Sequence, residues 1–270
     1  CGIYKNIKLV KLEKNAGVSN ARNIGIQEST GEFLLFCDSD DWYEENAIEK
    51  LLNIANERKS DFVMANYYIS YNNKKIKVDT TSCFSKEQIT REEIVSYMSL
   101  TSSAKLIKKE LFIKNNIKYP VDLKRCEEMT VIPVIAYYAQ NPIAIDEVLY
   151  NYYQRKNSAS NTKIKDVSYF DETFNRFSQK IDKVLYKEEI EFRAIEHLLY
   201  GKTLVMLKAE MPKKDILLHI EQFKSKYQDF RKNKYLKKFN FSKKVFINLV
   251  NYKMLFLAKI FSKLHEKLTG

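Results

Sequence analysis

Short apolar blocks recur along the first 155 residues in patterns that are typical of strands. Residues 7–12 alternate between apolar and polar side chains, whereas residues 33–37 form one continuous apolar run. A continuous run of that length favours a strand that is covered on both faces. Residues 62–70, 76–78 and 143–154 also carry the β-branched and aromatic side chains that favour strands.

Segments with helical periodicity lie between these blocks. Ser19 can cap a helix that runs to about residue 29. Residues 44–58 predict a second helix with one apolar face, formed by Ile48, Leu51, Leu52 and Ala55. Residues 91–100 and 127–140 are also helical in pattern, and Pro133 is expected to kink the second of these or shift its start. This alternation predicts an α/β sheet with helices on its faces.

The pattern changes near residue 166. From there to the end the chain is helical in periodicity, with lysines and aromatic residues interleaved. We therefore expect two parts, an α/β domain over residues 1–165 and a basic helical region over residues 166–270.

The net charge of +12 is concentrated in the last part of the chain. Residues 1–200 hold 29 basic and 29 acidic side chains, whereas residues 201–270 hold 17 basic and 5 acidic ones. Such a basic tail suits an anionic surface or a phosphate-bearing ligand, or it forms a solvated face. The balanced charge over residues 1–200 argues against a nucleic-acid-binding module.

No apolar stretch approaches the ~18–20 residues that a membrane-spanning helix needs. The four cysteines have neither a CxxC pair nor metal-ligand spacing. Together these features predict a protein of a reducing, cytoplasmic compartment.

Three aspartates, Asp38, Asp40 and Asp41, directly follow the apolar block at residues 33–37. In open α/β sheets, functional residues lie at the carboxyl ends of strands. Carboxylates suit Mg²⁺ or Mn²⁺, and a bound cation would relieve their mutual repulsion. The alternative is that the acidic residues stabilise the start of the next helix.

The aspartates belong to a longer motif. Residues 15–26, 31–32 and 36–42 read NAGVSNARNIGI, GE and FCDSDDW. This order and spacing resembles the family 2 glycosyltransferases of the GT-A fold. Weaker similarity follows at residues 104–112 (AKLIKKELF) and 150–158 (YNYYQRKNS). The resemblance implies a GT-A, Rossmann-like mixed sheet flanked by helices, and inverting transfer from a nucleotide-sugar donor, commonly a UDP-sugar.

The resemblance also implies catalytic roles. Asp40 would be the main ligand of Mn²⁺ or Mg²⁺, with Asp38 directed towards the ribose and Asp41 in support. Glu128 would be the base that deprotonates the acceptor, with Glu127 as the second choice. An ordinary carboxylate in the first turn of a helix is the alternative for Glu128.

Five residues are predicted to bind the nucleotide-sugar together with Asp38: Gly17, Arg22, Ser39, Arg155 and Ser158. A guanidinium suits phosphate, although Arg22 is equally compatible with a surface position on a helix. Gly17 permits a positive φ or a close approach of backbone, or it marks a plain turn. Arg155 and Ser158 would close over the diphosphate, or they form an ordinary turn.

The basic tail predicts a further partner. Between residues 243 and 268, eight apolar residues fall on one helical face: Phe246, Leu249, Val250, Leu257, Ile260, Phe261, Leu264 and Leu268. Lysines occupy much of the remainder, as in a helix that lies on an anionic membrane surface. The alternative is a helix docked on the catalytic domain with a solvated basic side. A membrane position would fit a lipid-linked saccharide acceptor in cell-surface polysaccharide synthesis.

Two departures from the family pattern bear on these expectations. The family's first strands, with Pro-x-Tyr-Asn and Asp-Asp-Gly-Ser, do not occur, so the GT-A domain is expected to be N-terminally truncated. Glu128 replaces the usual aspartate, which places its carboxylate one methylene further out. The competing hypotheses are a non-catalytic transferase remnant and a basic interaction module.

Overall fold

The computed structural model describes residues 6–71, 74–85, 88–155 and 166–269, apart from the side chains of 265–269. Six strands lie in this part of the chain: β1 (Phe33–Leu34), β2 (Trp42–Tyr43), β3 (Phe62–Tyr71), β4 (Lys74–Val78), β5 (Lys105–Lys108) and β6 (Pro142–Tyr153). They form one sheet in the order β1–β5–β3–β6–β2, with β4 also paired to β3. The β3–β6 pair is parallel and the other pairs are antiparallel. The predicted mixed sheet is confirmed.

The helices among these strands are α1 (Gly17–Glu28), α2 (Ala47–Glu57), α3 (Arg91–Tyr97), α4 (Lys109–Lys114) and α5 (Ile132–Tyr138). A short 3₁₀ helix, Glu127–Thr130, precedes α5, and Pro133 lies in the first turn of α5. Proline lacks a backbone N–H, and that position needs none, so the predicted helix over 127–140 is divided just before it.

Every element after Tyr153 that the structure describes is helical. These helices are α6 (Ser168–Gln179), α7 (Lys187–Ala194), α8 (Thr203–Lys208), α9 (Lys213–Lys226), α10 (Phe241–Asn251) and α11 (Leu255–Thr269). A π-helical segment, Ile195–Lys202, joins α7 to α8, and short 3₁₀ turns lie at Phe230–Lys232 and Lys234–Lys238. The boundary expected near residue 165 falls outside the described residues, and it stays a prediction.

Strand β3 lies at the centre of the sheet and separates two apolar layers. Phe62 and Met64 point into the larger layer, which continues into the C-terminal helices. Val63 and Ala65 point to the opposite side, where α2 covers the sheet with Leu51 and other residues. The period of two along β3 therefore produces one core on each face.

Three sequence-based expectations differ from the structure. Residues 7–12 pair with no strand of the described chain, and Ile7 and Leu9 are 52% and 72% exposed. Alternation alone cannot form a strand, because its backbone groups need a neighbour. Helix α1 begins at Gly17 rather than after a Ser19 cap, and Ser19 is buried. Ile48 lies in the first turn of α2 and is 53% exposed, whereas Ala47, Leu51 and Ala55 are buried, so the apolar face is narrower than predicted.

The expected single face over residues 243–268 is also wrong. The chain turns between α10 and α11 at Lys253, which has a φ of 59°. Phe246 and Val250 of α10 are buried in the core, whereas Leu257 and Leu264 of α11 are 41% and 54% exposed. The two sets cannot share a face because the turn reverses the chain. No helix in the described residues is long and apolar enough to cross a bilayer.

Candidate active site

The aspartate cluster follows β1, where the chain leaves the sheet before returning as β2. Asp41 is held by β6, because its carboxylate accepts hydrogen bonds from the Tyr150 hydroxyl at 2.5 Å and the Tyr153 N–H at 2.8 Å. Burial raises the pKa of Asp41, and these two hydrogen bonds offset part of that rise. Tyr150 also accepts a 3.3 Å hydrogen bond from the Asp38 N–H. Asp41 thus fixes the loop to the sheet.

Arg22 of α1 joins the aspartate cluster to the glutamate pair. Its Nη2 lies 3.3 Å from Asp38 Oδ1, while its Nη1 lies 3.3 Å from Glu127 Oε1 and 3.4 Å from Glu128 Oε1. The side chain of Arg22 is only 11% exposed, and its guanidinium lies over the Tyr119 ring at 5.3 Å. The surface alternative for Arg22 is therefore wrong.

The electrostatics of Arg22 follow from these neighbours. Burial by itself would lower the pKa of Arg22, but the adjacent carboxylates, Glu128 foremost, hold the pKa above its ordinary value. The guanidinium therefore stays charged. It brings together Asp38, Glu127 and Glu128, three predicted site residues that lie up to 106 positions from Arg22 in the sequence.

The two glutamates differ in their surroundings although they are neighbours in the 3₁₀ helix. Glu128 Oε1 accepts a hydrogen bond from the Ser102 N–H at 2.7 Å. Burial raises the pKa of Glu128 despite the opposing effects of Arg22 and Ser102. A raised pKa makes a carboxylate a stronger proton acceptor, so the chemistry favours Glu128 over Glu127 as a base.

Asp40 faces an arginine from the far end of β6. Arg155 Nε lies 3.1 Å from Asp40 Oδ2, and the side chains of Asp40 and Asp38 are 29% and 44% exposed. A cleft of ≈ 650 Å³ lies between α1 and residues 34–40, and Arg22, Asp38, Ser39 and Asp40 line it. The cleft is large enough for a small molecule, and its charged lining combines the cationic Arg22 with the anionic Asp38 and Asp40.

One predicted binding residue, Gly17, lies away from these contacts. Gly17 begins α1 with a φ of 83°, and a Cβ added there would meet no atom within 4 Å. The backbone conformation, rather than close packing, therefore requires glycine at this position. Ser158 lies outside the described residues.

Few carboxylates of this site are available to bind a metal ion. In the described part of the chain, no three His, Cys, Asp or Glu side chains converge to hold a metal ion. Both oxygens of Asp41 already accept hydrogen bonds. Asp38 and Asp40 remain, and Mg²⁺ sites commonly use one or two carboxylates with substrate phosphates. The donor set therefore fits a cation that binds together with a phosphate ligand.

Comparison with known proteins places this site in a family. Residues 2–115 match the model described as Glycosyl transferase family 2. The poly(ribitol-phosphate) β-N-acetylglucosaminyltransferase TarP of Staphylococcus aureus is 29% identical over 235 residues, which cover 84% of this chain and 68% of TarP. The chain therefore carries a family 2 glycosyltransferase domain over the matched residues 2–115.

Two further relatives are similar in sequence to this chain over part of their length. Glycosyltransferase GlyG of Streptococcus pneumoniae is 31% identical over 188 residues, 65% of this chain and 61% of GlyG. The cholesterol galactosyltransferase of Borreliella burgdorferi is 28% identical over 173 residues, 59% of this chain and 48% of that protein. The chain thus spans about half to two thirds of these relatives.

A solved structure establishes the fold. S. aureus TarS, residues 1–349 in complex with UDP-GlcNAc, aligns over 97% of this chain and 76% of that chain. The TM-score is 0.62 at 17% sequence identity. The predicted α/β GT-A fold of a family 2 glycosyltransferase is confirmed.

Sequence reasoning missed several residues that support the family 2 site. Tyr150 connects to the aspartates, and Ser102 holds Glu128. Tyr119 lies under Arg22 and its hydroxyl is 2.7 Å from Ser102 Oγ. Tyr150 belongs to the aromatic segment at 150–158, which was a usable signal. Nothing in the local pattern distinguishes Ser102 or Tyr119, because their roles arise from packing.

Proposed function

We propose that this chain is an inverting glycosyltransferase that moves a sugar from a nucleotide-sugar, a UDP-sugar by preference, to a saccharide or lipid-linked saccharide. The product would belong to a cell-surface polysaccharide. One observation carries the proposal: Arg22 connects the aspartate that borders the donor cleft with the glutamate that has the raised pKa. The names of relatives support it, since TarP acts on poly(ribitol-phosphate) and TarS binds UDP-GlcNAc.

Glu128 acts as the base in this proposal. The acceptor hydroxyl oxygen attacks the anomeric carbon while the bond from that carbon to the diphosphate oxygen breaks. The acceptor proton passes to Glu128, and the electron pair of the broken bond leaves with the nucleoside diphosphate. Attack opposite the leaving group inverts the configuration. The Ser102 N–H fixes the orientation of the Glu128 carboxylate for the proton transfer.

The donor diphosphate would lie along the cleft between α1 and residues 34–40. Arg22 and Arg155 supply positive charge at its two ends, since each already contacts an aspartate of the cluster. Asp38 and Ser39 would bind the ribose side. Asp40 and Asp38 would hold Mn²⁺ or Mg²⁺, which neutralises charge on the departing diphosphate when it is bound.

The direct test is a panel of nucleotide-sugars, with release of nucleoside diphosphate measured in the presence and absence of Mn²⁺. Turnover of one donor that rises with Mn²⁺ and is lost in Asp40→Ala supports the proposal. A folded protein that binds no donor and releases no diphosphate with any of them would favour the non-catalytic remnant instead.

We also propose that α11 rests on the anionic, cytoplasmic face of a membrane. Leu255, Ala258 and Ser262 form its buried side. Four exposed apolar residues occupy the opposite side: Phe256, Leu257, Ile260 and Leu264. Residues 255 and 257 differ by about 200° around the axis, so the two stripes face apart. A solvated helix would have polar residues on its outer side.

Charge complementarity identifies the occupant as an anionic lipid surface. Lys263 is exposed beside the apolar stripe, and Lys213 borders the groove that contains Phe256 and Leu257. Cationic side chains around an inserted apolar stripe suit anionic headgroups, each worth about 1 kcal/mol. The position would bring a lipid-linked acceptor to the enzyme.

Vesicle sedimentation tests this surface. Phosphatidylglycerol-containing vesicles should bind the protein more than phosphatidylcholine vesicles, and Phe256→Ser should weaken that binding. Ile113→Ser is the matched control, because Ile113 is 62% exposed on α4. Equal loss in both variants, or equal binding to both lipids, contradicts the proposal.

A further inference from the structure

Lys105 is a buried lysine next to the candidate active site. It is the first residue of β5, and only 1% of its surface is exposed. Its Nζ donates to Thr101 O at 2.6 Å, to Ser99 Oγ at 2.9 Å and to Ser103 O at 3.5 Å. All three acceptors belong to the segment of residues 99–104 that joins α3 to β5, which we call the serine loop.

The surroundings of Lys105 are unusual for a buried cation. No carboxylate of the described chain lies within ion-pair distance of its Nζ, although buried charges are normally paired. Burial lowers the pKa of Lys105 to about 7, and the negative charge of Glu128 opposes that shift. A leucine or methionine would fill this position at lower cost. The amine is therefore expected to have a structural role, and its three hydrogen bonds indicate that this role is to hold the serine loop.

The serine loop contacts both halves of the site. The Ser102 N–H donates to Glu128, and Ser102 Oγ bonds the hydroxyl of Tyr119, on which Arg22 rests. The Ser103 side chain opposes the rise that burial causes in the pKa of Tyr150, whose hydroxyl donates to an aspartate of the cluster. The serine loop thus orients the candidate base on one side and lies beside the residue that holds the aspartate loop on the other.

The serine loop lies between α3 and β5, outside the helices and strands. Ala104, at its end, has a φ of 56°, a conformation that residues other than glycine seldom adopt. Ser102 and Ser103 are buried, so water does not satisfy their backbone. The Lys105 ammonium donates hydrogen bonds to the backbone carbonyl oxygens of Thr101 and Ser103. This contact leaves the N–H of Ser102, the residue between them, directed towards Glu128.

We propose that Lys105 is a positioning residue for glycosyl transfer, whose ammonium holds the serine loop so that Ser102 orients Glu128. The inference rests on the proposed role of Glu128 as the base. Lys105 itself touches neither substrate. Its removal should therefore affect the chemical step more than the binding of donor.

The test compares Lys105→Met with Lys108→Met, a lysine of the same strand whose Nζ pairs with Glu32 at 3.1 Å. We expect Lys105→Met to lower kcat about tenfold to a hundredfold, with the donor KM within about threefold. The acidic limb of its pH profile should move to higher pH, because the Ser102 hydrogen bond that lowers the Glu128 pKa is weakened. Lys108→Met should change neither quantity.

A double-mutant cycle separates positioning from a general loss of structure. In the Glu128→Gln background, Lys105→Met should have little further effect on kcat, since the group it orients no longer accepts a proton. An undiminished effect in that background, or a full kcat in Lys105→Met, overturns the inference. If Lys105→Met does not fold, Ser99→Ala removes one of the three acceptors and should give a smaller change in the same direction. An unchanged kcat and pH profile in Ser99→Ala would then overturn it.

The outcomes also distinguish this inference from the proposed function. If Glu128→Gln alone keeps full activity, the assignment of the base is wrong. If Glu128→Gln is inactive and Lys105→Met is fully active, only the positioning role is wrong.

Discussion

Replacement of Glu128 by glutamine examines the proposed chemistry with the least structural change. The amide keeps the size of the carboxylate, and its oxygen can still accept the Ser102 N–H, which lies 2.7 Å from Glu128 Oε1 in the native site. Arg22 loses one carboxylate at 3.4 Å but keeps Glu127 and Asp38, each at 3.3 Å. The free energy of unfolding should therefore change by only about 1 kcal/mol.

The effect on transfer should be much larger. General base catalysis contributes ~10²–10⁴-fold to a rate, and each tenfold change is about 1.4 kcal/mol of activation free energy. Glu128→Gln should thus lower kcat at least ~10²-fold, or about 2.7 kcal/mol, with donor affinity preserved. In the native enzyme, the acidic limb of kcat/KM should lie above pH 4.5, the ordinary pKa of glutamate, because the pKa of Glu128 is raised and its ionised form is the base.

Glu127→Gln is the matched control. It removes one negative charge from the surroundings of the same Arg22 nitrogen, at 3.3 Å instead of 3.4 Å. The assay is initial-rate release of nucleoside diphosphate with saturating acceptor, accompanied by calorimetric titration of the donor. Glu127→Gln should retain kcat within about tenfold. If Glu127→Gln is inactive and Glu128→Gln is active, the wrong glutamate has been assigned; equal losses would point to the charge around Arg22 instead.

Three further predictions concern other parts of the chain. Asp40→Ala should abolish Mn²⁺-dependent nucleotide binding in calorimetric titration, and unchanged affinity would mean that the aspartates only stabilise the loop. His197 is buried with a pKa lowered to about 4, chiefly by burial, so the unfolded chain binds the proton more readily. Stability should therefore be complete above pH 6.5 and fall by up to about 3 kcal/mol towards pH 4, and His197→Gln should flatten that dependence in thermal unfolding. Leu51→Ala should cost about 2–5 kcal/mol in urea unfolding, because Leu51 is fully buried under the sheet; a cost below 1 kcal/mol would show that α2 contributes little to the core.

Much of the catalytic half could be predicted from the sequence because its signals are local. The motif from residue 15 to residue 42 identifies the family without any contact information. The apolar run at 33–37 predicts a strand there, but the strand spans only Phe33–Leu34 and lies at the edge of the sheet, so its predicted length and its full cover on both faces are wrong. The long strand β3 and most helices lie where periodicity predicts them, since side-chain spacing directly encodes which face is buried. The change to an all-helical region near residue 166 is a property of the same kind.

Other features were decided only by tertiary structure. Residues 7–12 have the alternation of a strand but no neighbour to pair with, whereas β5 is a strand because β1 and β3 lie beside it. The tail has a helical period throughout, but the turn at Lys253 divides it into α10 and α11, and α11 buries Leu255 and Ala258 while it exposes Phe256 and Leu257. Periodicity does not register such a turn, because it records spacing and not the direction of the chain.

The site itself illustrates the same division. The resemblance indicates Glu128 as the base and Glu127 as the second choice, on position alone. The physical reason to prefer Glu128 comes from its burial and from Ser102, 26 residues away, which the fold brings to its carboxylate. Nothing in the sequence around Lys105 indicates that three oxygens surround its amine in the folded chain. The burial of a charged side chain and the groups that it contacts both depend on packing between distant segments. Only the folded chain therefore determines which charged residues have a shifted pKa and which are oriented by a hydrogen bond.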